Sequence, residues 1–371
     1  MTRTVTPAVQ RIDTHVYRIP TERPEADGTI AWEATTLVLA EVVADSGQRG
    51  LGFSYAAAAA ARLIADTLAP AVVETPVHQV GAAWEKMVNA VRNAGRPGIA
   101  AHAISAVDIA LWDLKAKVAQ LPLFRLLGTH REAVPVYGSG GFTTYTEAEL
   151  AEQLAGWVGE GITRVKMKVG KGWGTRPEDD VARVRAAREA IGTEAELFVD
   201  ANGGYTAKQA VRQAHRFAQF DVSYFEEPVS SDHLQQLAFV RQQAPMAIAA
   251  GEYGYDPWYF RDMLRAGAVD ILQADVTRCL GVSGWLMAAD LAYGFDIPLS
   301  AHTAPALHAH VACAAPQIAH VEYFFDHARI EQMLFDGAPR PVQGMLRPDP
   351  ERPGLGLALR RGDAEQWRVA G

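Results

Sequence analysis

Cysteine is nearly missing from this chain. Cys279 and Cys313 are the only two in 371 residues, which leaves no disulfide framework and no zinc spacing, and makes a reducing cytoplasm the natural expectation. Also lacking is any run of about 18 apolar residues, the length a membrane helix requires. The opening MTRTVTPAVQRIDTHVYRIP has no sustained apolar stretch of the signal-peptide kind. A soluble, unexported protein without a membrane partner is expected. No Lys/Arg-rich run occurs and the formal charge is −8, so a polyanion would be repelled and nucleic acid is not an expected partner. No G-x-G-x-x-G follows the first strand of the repeating part, and GSGG at 138–141 lacks the Lys-Ser/Thr of a nucleotide loop. Dinucleotide and nucleotide folds are disfavoured.

What is present is a large apolar content, 49% against 21% charged residues, typical of a soluble protein with a sizeable core. The first 125 or so residues mix types. QRIDTHVYRIP alternates as a strand does, TTLVLAEVVADSGQRGLGFSY reads as a hairpin, and helical segments follow near 60–72, 77–93 and 98–120. This is an α+β domain over residues 1–125. From 126 to 335 the texture changes to short β-branched or apolar runs separated by amphipathic stretches. The runs are VPVYGSGG, RVKMKVG, ELFVDANGG, SYFEEP, MAIAAGE, DILQADV, IPLSAHT and HVEYF. Helix starts between them are marked by Thr146 with Glu149 and by Thr206 with Gln209, both in capping-box spacing. Eight strand-helix alternations favour a closed (β/α)8-type barrel of α/β class over an open sheet. The Pro- and Gly-rich segment 336–371 is expected to pack back on the first domain.

Near the C-terminal end of the strands stand Lys166, Lys168, Asp200, Glu226, Glu252, Asp275, His302 and Glu322. Asp200 to Glu226 and Glu226 to Glu252 are each 26 residues apart, and the next intervals to Asp275 and His302 are 23 and 27. Each interval is about one strand-helix unit, so these side chains fall around one rim, where barrel enzymes keep their sites. Three carboxylates on consecutive strands would repel unless some protonate or a cation sits among them. Carboxylate oxygens with room left for water and substrate suit Mg²⁺ better than Ca²⁺. A lone K-x-K is ordinarily a basic strand face. Here Lys166, with the metal, is expected to ease deprotonation of Lys168. A histidine whose second nitrogen meets a carboxylate is fixed in one tautomer and made more basic. A metal with a base on each face is suited to moving a proton from the carbon next to a carboxylate.

At these residues the sequence resembles the enolase superfamily, specifically its mandelate racemase subgroup. The likeness runs through AISAVDIALWDLKAKVAQLPLFRLLG, VKMKVG, VDANGGY, FEEP, AAGE, QADVTRCLGVSG and SAHTAP. It implies a modified barrel under an N-terminal α+β capping domain, and one Mg²⁺ per subunit held by Asp200, Glu226 and Glu252. Lys168 and His302 would be the two bases, Asp275 the partner of His302, and Lys166 an electrostatic neighbour. Asn202 is expected to bind substrate or a metal-bound water, and Glu322 to hydrogen-bond the substrate carboxylate or the intermediate. In FEEP periodicity leaves Glu226 and Glu227 open; the resemblance selects Glu226.

The subgroup's chemistry begins with removal of the proton α to a carboxylate, through a metal-stabilised enediolate. Dehydration of a sugar acid to a 2-keto-3-deoxy acid is the first expectation, and racemisation or epimerisation of an α-hydroxy acid the second. The segment IPTERPEADGTIAWEATT should supply specificity, with Arg23, Trp32 and Tyr55 expected to touch substrate. Arg278 and Tyr253 lie just past strand ends, open between substrate contact and helix packing, and His308 and His310 fall on different faces of a helix, so structural roles or roles supporting the site residues are expected for the histidines. From other classes, a Schiff-base aldolase would use a lysine nucleophile but has no need for the carboxylates, and a noncatalytic acid-binding barrel would never exchange an α-proton. A symmetric homo-oligomer is the prior expectation for such a protein.

Overall fold

The computed structural model describes residues 6–369. The N-terminal part is an antiparallel meander of β1 (Val9–Ala26), β2 (Ala31–Ala44) and β3 (Arg49–Tyr55). The helix Ile99–Val118 packs on it. Its alanines and the bare glycines of β3 let the two backbones meet closely. A Cβ at Gly52 would stand 2.3 Å from the Ala106 carbonyl, so any larger residue would push the helix away.

Eight parallel strands follow: β4 (Val134–Gly140), β5 (Arg164–Lys168), β6 (Glu196–Asp200), β7 (Val222–Glu226), β8 (Ala247–Ala250), β9 (Ile271–Ala274), β10 (Leu299–Ala301) and β11 (Ile318–Phe324). They pair in chain order, and β11 closes on β4 with Val321 opposite Val136. The eight expected runs are these eight strands. Buried Tyr137, Phe198, Tyr224 and His320 fill the barrel; the Phe198 and Tyr224 rings stack at 4.6 Å. This layer makes the interior a packed core with its opening at one end.

The helix Glu147–Gly159 starts in the expected capping box. Thr146 Oγ1 accepts from the Glu149 amide at 3.2 Å, and Glu149 accepts from the Thr146 amide at 2.9 Å. The second expected box does not form. Thr206 caps with its backbone alone, and Gln209 instead donates to the Gly174 carbonyl at 2.5 Å. The tertiary partner outcompetes the local one.

The C-terminal segment works in two places. Residues Met345–Leu346 pair antiparallel with β4 of the barrel. Further on, Leu355 N donates to Asp113 at 2.7 Å, Arg361 meets Glu41 at 2.5 Å, and Val369 N donates to the Val16 carbonyl at 2.9 Å, all in the first domain. Among the described residues no helix is long and apolar enough to cross a membrane.

Candidate active site

Parallel register puts Lys168 beside Asp200, and Asp200 beside Glu226, on adjoining strands. Because alternate side chains share a strand face, Lys166 and Lys168 both turn inward and both are buried. Lys166 lies 2.5 Å from Glu226, 2.8 Å from Glu322, 3.4 Å from the Tyr137 hydroxyl and 3.7 Å from Asp200. Lys168 donates to Asp200 Oδ2 at 2.5 Å, and Asp200 Oδ1 accepts from the Asn202 amide at 2.8 Å. After β8 the chain turns through Gly251 (φ 137°), where a Cβ would lie 2.0 Å from the Gln273 carbonyl. Only glycine lets the chain pass there to deliver Glu252.

On the other side, His302 Nδ1 is 2.8 Å from Asp275 Oδ2, and its Nε2 is 3.2 Å from Glu252 and 3.7 Å from Glu322. Asp275 Oδ1 accepts from the Thr277 amide and hydroxyl, each at 2.7 Å. Arg278 reaches Glu252 at 3.2 Å and Asp275 at 3.3 Å. His308 ties the two strands together. Its Nδ1 faces the Thr303 carbonyl at 2.7 Å, and its Nε2 accepts from the Val276 amide at 3.0 Å. His310 meets the Leu355 carbonyl at 3.1 Å. Both histidines are buried and hydrogen-bonded to backbone.

The charges order themselves by proximity. Burial lowers the pKa of His302, but Glu252 and the Asp275 hydrogen bond outweigh it and push it up to about 10. Burial lowers that of Lys168 as well, yet Asp200 more than reverses the effect, leaving it above an ordinary lysine. The expected depression by Lys166 is present but smaller. Burial and Asp200 raise Glu226 to about 8. For Glu322 burial acts upward, while Lys166 and His302 bring it down to about 2. Ionised, Glu322 accepts from the Thr303 amide at 3.0 Å.

Lys168, Glu252, His302, Glu322, Asn202, Arg278, Tyr253 and Trp32 line one pocket of about 220 Å³. Asn202 is not on the strand face but in the turn after β6, with φ 44°. Two residues expected at the substrate lie elsewhere. Arg23 sits on the outside, paired with Glu149 at 2.9 Å and over the Tyr145 ring. Tyr55 stands behind the wall, stacked on His327 at 3.4 Å between ring centroids. It is His327 that lines the pocket, with Thr35 and Asp27 from the segment expected to supply specificity; sequence reading did not assign His327. HVEYFFDHARI gave His327 no periodic signal, because it follows the last barrel strand at the start of the helix Phe325–Leu334.

Buried carboxylate oxygens mark a place for a cation. Glu226 Oε1 and Glu252 Oε2 have no hydrogen-bond partner, and the imidazole 3.2 Å from the latter is not aligned to give one. Unsatisfied buried oxygens are costly, and a hard cation would satisfy them. Donor atoms of Glu226, Glu252 and His302 lie within 4.8 Å of one another. Asp200 is not part of that trio, and Lys168 and the Asn202 amide take up its oxygens. Its carboxylate remains beside Glu226 in register, so the residues fit an oxygen-bound ion.

Residues 11–128 match the mandelate racemase / muconate lactonizing enzyme N-terminal domain, and residues 149–364 match the enolase C-terminal domain-like family. The chain is 33% identical to the 3,6-anhydro-alpha-L-galactonate cycloisomerase of Streptomyces coelicolor, over 95% of this chain and 97% of that one. In structure it is similar to a mandelate racemase/muconate lactonizing enzyme-like protein from Rubrobacter xylanophilus, with TM-score 0.94 and 50% identity over 98% of this chain and 100% of that one. It is also similar to L-talarate/galactarate dehydratase from Salmonella typhimurium liganded with Mg and L-lyxarohydroxamate, with TM-score 0.90 and 28% identity over 100% and 95%. With the barrel, the capping meander and the rim of ionisable residues in place, the chain belongs to the mandelate racemase / muconate lactonizing enzyme family of the enolase superfamily.

Proposed function

We propose that the protein dehydrates a sugar acid to a 2-keto-3-deoxy acid in a Mg²⁺-dependent reaction. One observation carries the reading: Lys168 and His302 line the same pocket, with the carboxylates of Asp200, Glu226 and Glu252 on the strands between them. Asp200, Glu226 and Glu252 would hold the ion, which supplies positive charge against the negative charge that develops on the substrate carboxylate. The Mg in the Salmonella dehydratase supports that choice.

Lys168 takes the proton from the α-carbon. Were Asp200 to hold the ion, the positive Lys166 would remain beside Lys168, which favours the neutral amine a base must be. His302, its Nδ1 held by Asp275, presents Nε2 to the opposite side and gives a proton to the departing β-hydroxyl. The α-hydrogen and β-hydroxyl are lost together as water, and the enol left behind tautomerises to the keto acid. Glu322 keeps Lys166 charged and orients the Thr303 amide beside His302.

A panel of sugar mono- and diacids, with Mg²⁺ and semicarbazide detection of keto acid, tests this. Product that vanishes in Lys168→Ala supports the reading; no product from any member sinks it. Two opposed bases also serve racemisation or epimerisation, the second reading. That outcome would appear as α-deuterium incorporation from deuterated water without keto acid.

A further inference from the structure

Beside the reaction pocket lies a second cavity of about 490 Å³. Asn202 and Tyr253 line both, so the two spaces adjoin. The smaller falls below the roughly 300 Å³ at which drug-sized sites begin, and the larger within that range. Aromatic rings from Trp173, Tyr253, Tyr255 and Tyr259 wall the larger cavity. Trp173 is 64% exposed and held at φ 59° between two glycines, with its amide donating to the Gly28 carbonyl of the capping loop at 2.8 Å. A large ring kept in water on a strained backbone is a feature that folding stability alone does not select.

Charge narrows the occupant. No Lys or Arg lines this cavity, whereas Glu227, Asp232 and Asp256 do. Glu227 is 1% exposed, and its Oε1 has no hydrogen-bond partner. Within this cavity a second carboxylate would therefore meet acids and no cationic side chain. A further positive group has a competitor already, since Arg96 stands 3.8 Å from Asp256 and stacks on Trp258. What remains favoured is a neutral group with an apolar face for the rings and hydroxyls to donate to oxygen acceptors.

We propose that this cavity is a subsite for a neutral sugar ring carried on the far end of the reacting acid, so that a glycosylated aldonic acid is preferred to both the bare aldonic acid and an aldaric acid. The proposal rests on the sugar-acid reading above.

The Mg²⁺-loaded enzyme would be assayed with C5 and C6 aldonates, their glycosylated counterparts and the matching aldarates. For a glycosylated acid kcat/KM is expected to exceed its parent's at least tenfold, mostly through KM. Trp173→Ala should bring that ratio close to one, and Trp173→Phe should retain most of it. Equal values for the glycosylated and bare acids, or an aldarate preferred to both, would overturn the proposal. Turnover of no acid at all would instead count against the dehydratase reading. The subsite is then read separately by titrating the protein with maltose and cellobiose. Saturable fluorescence quenching by either that is lost in Trp173→Phe supports it, and quenching by neither overturns it.

Discussion

His302 lies between two carboxylates: Asp275 at 2.8 Å on Nδ1 and Glu252 at 3.2 Å from Nε2. Asp275 fixes the ring through the side remote from the pocket, so Nε2 faces the reacting atoms. His302→Asn is expected to lower keto-acid formation by about 10²- to 10⁴-fold, the usual contribution of a positioned acid or base. Exchange of the α-proton with deuterated water should persist, because Lys168 remains. If exchange is lost as well, His302 is the group that removes the proton.

Asp275→Asn leaves the imidazole in place but takes away one of the influences that raise its pKa. A proton-donating His302 works below its pKa, so activity declines as pH rises through it. The alkaline limb of the kcat profile should move to lower pH in Asp275→Asn.

Lys166 is wholly buried between Glu226 and Glu322. Lys166→Met would leave two buried carboxylates without their shared partner, and breaking such a pair costs about 3–5 kcal/mol. Lys168→Met should cost less, since Asp200 keeps the Asn202 amide and Lys166 at 3.7 Å. Urea unfolding of both variants in chelator compares them directly.

Ion binding should appear as stability. Mg²⁺ at 100 times its Kd is expected to add about 2.7 kcal/mol, seen as a Tm that climbs with concentration. Chelator should remove activity without removing the fold. Glu252→Ala should flatten the Tm dependence, and a flat wild-type curve would contradict the assignment of these carboxylates.

Buried Glu331 accepts from the Ala306 amide at 2.9 Å, and burial pushes it up from 4.5 to about 8. The folded protein thus keeps a proton there that the unfolded chain has already lost. Its contribution is fully present below about pH 4.5 and gone once pH has risen through about 8. His302, also raised in the metal-free protein, acts in the same direction above 6.5. Stability without metal should fall between pH 6.5 and 9, by up to ~1.4 kcal/mol per unit for each such group. Glu331→Gln should make that fall shallower; an unchanged slope would refute the Glu331 share.

Much of the fold was legible because its signals are local. The eight short runs and their spacing set the strand count, and Thr146 with Glu149 formed the helix start that their spacing implied. Thr206 with Gln209 carried the same local pattern, and the Gly174 carbonyl took Gln209 away. Arg23 shows the same limit. Its polarity and loop position suggested substrate contact, but Glu149, 126 residues further on, holds it outside.

The sequence by itself determined which chemical groups stand at the strand ends, since period-two alternation and a regular strand-helix repeat need no distant information. Only the tertiary structure decided how they pair. Glu226 turns toward Lys166, while its neighbour Glu227, at φ 37°, lines the adjoining cavity. Lys168 is raised and not lowered because Asp200 from the next strand lies 2.5 Å away. His327 lines the pocket with Tyr55, from the other domain, stacked on it. Each outcome depends on a partner from a distant stretch of chain. Coulomb and packing energies change steeply over a few ångströms, a distance that residue spacing along the chain does not encode.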